Sequence, residues 1–140
     1  MKLDNIALFD PRTCISGKVM RLNRITGNIF RKHFKEFKVT NSQVSLLFIL
    51  SKRDGLTQKA LSDISKLEKS SINRNLNRLM SNQYISKADF PLIKITDKGL
   101  NMVNQIIPEW EKAMTEIRSL LGEEGEAALN LILSKLNATL

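Results

Sequence analysis

Lys69, Ser70, Ser71, Asn73, Arg74, Asn77 and Arg78 fall in one short stretch and offer ammonium, hydroxyl, amide and guanidinium groups with no carboxylate among them. Such groups hydrogen-bond phosphate oxygens and the base edges exposed in a nucleic-acid groove. Their spacing decides whether they act together. Ile72, Leu76 and Leu79 recur at i, i+4 and i+7, which predicts a helix over 67–80 with one apolar stripe. At ~100° per residue, Ser70, Arg74 and Asn77 lie nearly opposite that stripe, with Ser71, Asn73 and Arg78 at its shoulders. Asn75 sits only ~60° from the stripe and reads as structural. Arg74 is the leading candidate for a base or phosphate contact, and a bidentate arginine–guanine pair contributes ~1–3 kcal/mol of discrimination. Arg78 has two readings, as a phosphate ligand or as a clamp on the segment that follows. Lys69, Ser70, Ser71 and Asn73 lie near the helix N-terminus, where backbone N–H groups attract phosphate. Helix capping is the alternative for Ser70.

These side chains need elements to aim them. A short helix, Thr57 to Ser65 with Ala60, Leu61 and Ile64 inside, lies about three residues upstream, so the pair reads as a helix-turn-helix. Thr57 and Gln58 open that helix and are further candidates for backbone contact, although capping explains Thr57 equally well. Downstream, two short β-prone runs flank Asp89-Phe90-Pro91 within 84–96 and predict a small hairpin, which after a helix-turn-helix is a wing. Residues 12–38 predict a long helix with Ile15, Val19, Leu22, Ile29, Phe30, Phe34 and Phe37 along one stripe. Thr40 or Asn41 caps a second helix over Val44, Leu47, Phe48 and Leu50, ended by Asp54-Gly55. A fifth helix starts at Thr96 or Asp97 and carries Val103, Ile106, Ile107, Trp110, Met114, Ile117 and Leu121, with Pro108 bending it. Gly122 breaks the pattern, and 123–140 form a sixth helix with Leu129, Ile132, Leu133 and Leu136 on one side. The expected architecture is mainly α with a small β-hairpin: a six-helix winged helix-turn-helix. One domain spans 1–140, with the winged part at 39–98 and helical parts at 12–38 and 99–140.

The totals narrow the function classes. The net charge of +8 is unevenly spread. Residues 12–38 carry eight Lys or Arg against one acidic residue, 39–98 ten against five, and 99–140 three against six. A double-stranded DNA partner favours that sorting, whereas a merely solubilising charge does not produce it. The longest apolar runs are about five residues, far short of a membrane span. Met1-Lys2-Leu3-Asp4-Asn5 lacks a signal-peptide pattern, and one cysteine fits a reducing compartment, so the expected location is the cytoplasm. No nucleophile–base pair, phosphate-binding glycine loop or metal-ligand cluster stands out, and His33 is alone. We therefore expect no enzyme, cofactor or metal.

In the order of its elements the chain resembles the MarR-type winged-helix transcriptional regulators over nearly its whole length. The best local matches are Leu67-Glu68-Lys69-Ser70-Ser71-Ile72-Asn73-Arg74, Asn77-Arg78-Leu79, Ile95-Thr96-Asp97-Lys98-Gly99 and the Pro108–Trp110 segment. The resemblance implies an intertwined homodimer, with 12–38 and 99–140 as its dimerisation parts, in which first, fifth and sixth helices interlock and two recognition helices enter successive major grooves of a pseudo-palindrome. It also implies a place for a small aromatic effector, for which Phe30, Phe34, Trp110 and Met114 are the candidates; core or dimer interface is the alternative for them. Peroxide-sensing members keep a reactive cysteine near the position of Cys14, but they rely on nearby tyrosines, and Tyr84 is the only tyrosine here. An incidental cysteine is the stronger reading. The chain departs from the family in its wing, which is short and without arginine, and in Asn77, where an aspartate is common. That leaves Lys87 and Lys94 as the wing's candidates for phosphate contact.

The expected function is a sequence-specific, homodimeric DNA-binding transcriptional regulator, a repressor, responsive to an effector or to oxidation. The alternative is a dimeric protein–protein adaptor on a winged-helix scaffold without specific DNA binding. The shortened wing motivates the adaptor, and the acid-free face around Arg74 and Arg78 opposes it.

Overall fold

A computed structural model describes residues 1–137. The elements run α1 (Asp4–Leu8), a 3-10 turn (Pro11–Thr13), α2 (Ile15–Phe34), a second 3-10 turn (Lys35–Phe37), α3 (Asn41–Ser51), α4 (Gln58–Ser65), α5 (Lys69–Ser81), β1 (Ile85–Ser86), β2 (Lys94–Ile95) and α6 (Asp97–Asn137). The fold is mainly α with one antiparallel hairpin, in register Ile85↔Ile95 and Ser86↔Lys94.

α3 is the hub. Val44, Leu46, Leu47 and Leu50 are buried and Phe48 and Ile49 partly so, an all-round apolar helix of the kind found inside a core. Leu61 of α4, Ile72, Leu76 and Leu79 of α5, Ile85, Ile93 and Val103 of α6 close the main cluster around it. A second cluster, Phe34, Val44 and Ile106 with Phe30, Phe48 and Trp110 beside them, joins α2 and α6 to α3. The same two helices are also joined by charge. His33 Nε2 lies 3.1 Å from Glu116 Oε2 and its Nδ1 3.6 Å from Glu109 Oε2, while Lys32 and Lys112 hold those carboxylates from outside.

Local chemistry sets the helix ends. Thr40 forms a capping box with Gln43, and Thr57 Oγ1 accepts from Ala60 N at 3.1 Å. Thr96 Oγ1 accepts from Gly99 N and donates to the Gln83 carbonyl, fixing the start of α6 against the end of α5. Gly99 itself is indispensable to that approach, since a Cβ there would stand 2.3 Å from the Tyr84 carbonyl oxygen. Pro108 sits inside α6 without ending it. Gly122 (φ 69°, ψ 174°) divides α6 into 97–121 and 123–137, the fifth and sixth expected helices. The last residues of the expected sixth helix, 138–140, lie outside the described residues.

Two expectations need correction. The helix expected over 12–38 spans only Ile15–Phe34. Pro11 and the Asp10 carboxylate, which accepts from Arg12 N, hold 11–13 in a 3-10 turn; at the other end the chain tightens through 35–37 and Lys38 turns left-handed (φ 54°). The hairpin also has a neighbour that the sequence did not announce: Leu56 N donates to the Ile93 carbonyl at 3.1 Å and Ile93 N to the Leu56 carbonyl at 2.7 Å. The turn before α4 is thereby pinned to the wing.

Candidate nucleic-acid interface

α5 begins at Lys69, three residues after α4 ends, and buries Ile72, Asn75, Leu76 and Leu79. Lys69, Ser70, Asn73, Arg74, Asn77 and Arg78 are exposed on the remaining surface. Arg74 and Arg78 make no ion pair among the described residues. Uncompensated guanidiniums on a face without carboxylates are free to meet an external anion.

The rotation of α5 is fixed by a buried polar chain. Gln43 Oε1 accepts from Thr40 N at 3.2 Å, Gln43 Nε2 donates to Asn75 Oδ1 at 3.4 Å, and Asn75 Nδ2 donates to Ser71 Oγ at 3.3 Å. Rolling α5 would break the one bond of this chain that crosses between helices, Gln43 Nε2 to Asn75 Oδ1, inside the protein, where an unsatisfied amide costs ~1–3 kcal/mol. Asn75 is thus structural, as its helical position indicates, and Ser71 is drawn into the same chain. Ser70 does not cap α5, because the N-cap residue is Glu68 and no side chain bonds the first turn. Gln58 hydrogen-bonds Asn73, which brings two candidates from different helices together and ties the start of α4 to the outer face of α5. Thr57 is occupied as a cap.

The wing candidates differ from each other. Lys94 Nζ is 3.0 Å from Asp89 Oδ2, and that carboxylate, with Asp54 farther off, raises the lysine pKa. Lys87 is half-buried and makes no ion pair among the described residues. Phe90, between them, is 76% exposed at the wing tip.

Phe30, Phe34 and Trp110 line a cavity of about 90 Å³ between α2, α3 and α6, together with Asn41 and Phe48, while Met114 is not among its walls. The Asn41 Oδ1 is buried there without a hydrogen-bond partner among the described residues. Cys14 is exposed and stands at the N-cap of α2. Arg12, two residues before it, is turned onto Asp10, with Nε 3.0 Å from Oδ1.

A helix-turn-helix followed by a hairpin and flanked by two long helices can be compared with known proteins. Residues 37–91 match the model of the MarR family. The fold superposes on Bordetella bronchiseptica BpsR, a protein whose DNA binding is regulated by 6-hydroxynicotinic acid (TM-score 0.85, 15% identity, 93% of this chain and 98% of that one). This is a MarR-type winged-helix fold. A mutant of MarR from E. coli in complex with operator DNA matches at TM-score 0.79 and 18% identity over 92% of this chain and 97% of that one. NadR in complex with 4-hydroxyphenylacetate matches at 0.77 and 19% over 90% and 96%. No curated protein sequence matches. In this fold α5 is the second helix of the helix-turn-helix, and Lys38, Thr40 and Asn82 join its arginines around one hollow. Sequence reasoning missed those three, because only the packing of α3 against α5 brings residues so far apart together.

Proposed function

We propose that this protein is a DNA-binding transcriptional regulator, a cytoplasmic repressor that reads a pseudo-palindromic operator as a homodimer. The observation that carries the reading is the outer face of α5, where exposed Arg74 and Arg78 stand unpaired among amides and hydroxyls while the opposite face is locked into the core. Arg74 reads a base edge, Asn73, Asn77 and Ser70 contribute polar contacts, and Lys69 and Arg78 meet phosphates. Gln58 acts by holding Asn73, and Lys87 is the better placed wing lysine because Asp89 already engages Lys94. The homodimer is supported by apolar residues left open along α1, α2 and the 123–137 segment, among them Ile6, Ile15, Val19, Ile132 and Leu133. The mutant of MarR from E. coli, which shares the fold and is in complex with operator DNA, supports the partner.

Responsiveness has thinner support. The cavity beside Phe30, Phe34 and Trp110 is about 90 Å³, well under the roughly 300–1,000 Å³ of established ligand sites. An aromatic effector would need Trp110 to move toward the adjoining hollow of about 250 Å³ that it also lines. A redox response through Cys14 rests on its exposure alone, since Arg12 is engaged by Asp10.

The test is selection of bound fragments from a random DNA pool with wild type and Arg74→Ala side by side at ~150 mM salt, where nonspecific attraction is already weakened. The expected outcome is a pseudo-palindrome enriched by wild type and relaxed at one position per half-site in the variant, a loss of ~1–3 kcal/mol. Equal, salt-sensitive binding by both with no enriched site would overturn the reading and leave the protein–protein adaptor in its place.

A further inference from the structure

The eight cations of residues 12–38 are more than an α5 interface uses, and the fold disposes of them unequally. Arg12 is held by Asp10 and Lys32 by Glu116. Arg24 and Lys38 make no ion pair among the described residues, and Arg31 bonds only the neutral Asn28. These three open onto two hollows. The first, about 280 Å³, lies between the start of α3 and the back of α5 and is lined by Lys38, Thr40, Arg74, Arg78 and Asn82 with the buried amides. The second, about 430 Å³, lies between α2 and the start of α3 and is lined by Arg24, Arg31, Thr40, Asn41 and their neighbours. Thr40 borders both, so they form one trough that leaves the recognition helix, crosses the first turn of α3 and runs onto α2. Five cations line it and no carboxylate does.

The trough is also held in shape. Asn41 Nδ2 donates to the Gly27 carbonyl at 3.1 Å and pins the start of α3 to α2. The Thr40–Gln43–Asn75 chain pins the same turn to α5. Like charges gathered on a fixed surface repel one another, and a partner carrying regularly spaced negative charge offsets that repulsion. We infer that the trough formed by Arg24, Arg31 and Lys38 is a phosphate track that extends the DNA contact beyond the recognition helix onto α2, seating the duplex backbone next to the base pairs that α5 reads. The inference rests on the DNA-binding reading above. It commits to duplex DNA rather than a free anion because the trough begins at Arg74 and Arg78, on the helix proposed to enter the groove. A contact of this kind orients the protein and adds affinity for every sequence alike.

The test compares four full-length proteins on a fluorescent random-sequence duplex of about 30 base pairs, roughly three helical turns. They are wild type, Lys38→Gln, the triple variant Arg24→Gln/Arg31→Gln/Lys38→Gln, and Lys112→Gln, whose charge lies on α6 beside Glu109. Affinity is measured from ~50 to ~200 mM salt, and the slope of log K against log salt is read. Each neutralised phosphate contributes about 0.9 to that slope and each substitution occurs in both copies of the homodimer, so the triple variant should flatten it by roughly 5.4 and Lys38→Gln by roughly 1.8. Lys112→Gln should leave it unchanged. All four are exposed positions, and circular dichroism checks that each variant is folded. An unchanged slope in the triple variant, with wild type binding normally, overturns the track and leaves the reading of α5 intact. A slope flattened equally by Lys112→Gln reports net charge and also overturns the track. If wild type itself fails to bind the duplex, the DNA-binding reading falls and the track falls with it.

Discussion

Around α3, α4 and α5 the large aliphatic side chains are sealed: Leu46, Leu47, Leu50, Leu61, Ile72 and Leu79 have no exposed surface. Along α2 and the far part of α6, residues of the same kind stand open, Ile15 at 78% and Leu120 at 70% exposure. The polar groups follow the same division. In the winged half a buried amide chain fixes the angle of one helix, whereas α2 and α6 are joined by half-exposed ion pairs around His33. A burial-complete region defines its own shape, and so it can hold Arg74 and Arg78 at set positions. A region with an open apolar stripe awaits a second surface, which a second copy of the chain supplies in the homodimer we propose.

If the winged half is complete in itself, removing one of its core residues should cost most. Leu76→Ala deletes a fully enclosed side chain and should destabilise the fold by ~2–5 kcal/mol in urea unfolding, depending on how far the site collapses. A cost under about 1 kcal/mol, the size expected of a well-tolerated core swap, would mean that this core is looser than its burial indicates. Adding an atom should be nearly as harmful. Gly99→Ala places a Cβ 2.3 Å from the Tyr84 carbonyl oxygen and 2.6 Å from Ile95 Cγ1, so α6 must back away from the wing. The expected loss is ~1–3 kcal/mol, as for overpacking elsewhere, and an unchanged melting temperature would contradict the tight seat. Alanine at Gly125, also inside α6, comes no closer than 3.0 Å to any neighbour, at Leu121 Cβ, and makes the comparison variant.

The two halves were also unequally legible from sequence. Helices whose apolar period and caps lie within a dozen residues were readable: α5 from Ile72, Leu76 and Leu79, α4 from Thr57, α3 from Thr40, and the division of α6 from Gly122. The structural role of Asn75 followed from its angle on the helix alone. What escaped depends on distant partners. Gln43 reads as an ordinary helix residue until Asn75, 32 positions away, supplies its bond. The Leu56–Ile93 bridge has no local sign, because Leu56 belongs to a turn. Lys38 read as the end of a helix, when its left-handed backbone is what brings it to the hollow behind Arg74. The exposed polar face of α5 was therefore legible, and the trough beside it was not.

The open half makes a different demand. Leu133, 48% exposed, has about half of its transfer free energy still to gain. Two copies of Leu133→Ala should weaken the homodimer by about 2 kcal/mol, roughly thirtyfold in dissociation constant, with far-ultraviolet circular dichroism unchanged. Sedimentation equilibrium measures it. A dissociation constant that does not move would assign the open stripe to some other surface and end the symmetry argument for this segment.

The smallest effect tests the ion pairs within the open half, between α2 and α6. The hydrogen bond from Lys32, then that from His33, holds the Glu116 carboxyl below its ordinary 4.5. A carboxyl lowered on folding stabilises the protein above its unfolded pKa, and the contribution is lost as pH falls through the folded value. Wild type should therefore melt slightly above Glu116→Gln at neutral pH, and the gap should close as the pH falls below the ordinary 4.5 and through the lowered folded value. Both partners are solvent-screened, so the gap is small, and raised salt should shrink it further. A gap of the same size at neutral and acid pH would mean that Glu116 packs α2 against α6 by its shape and not by its charge.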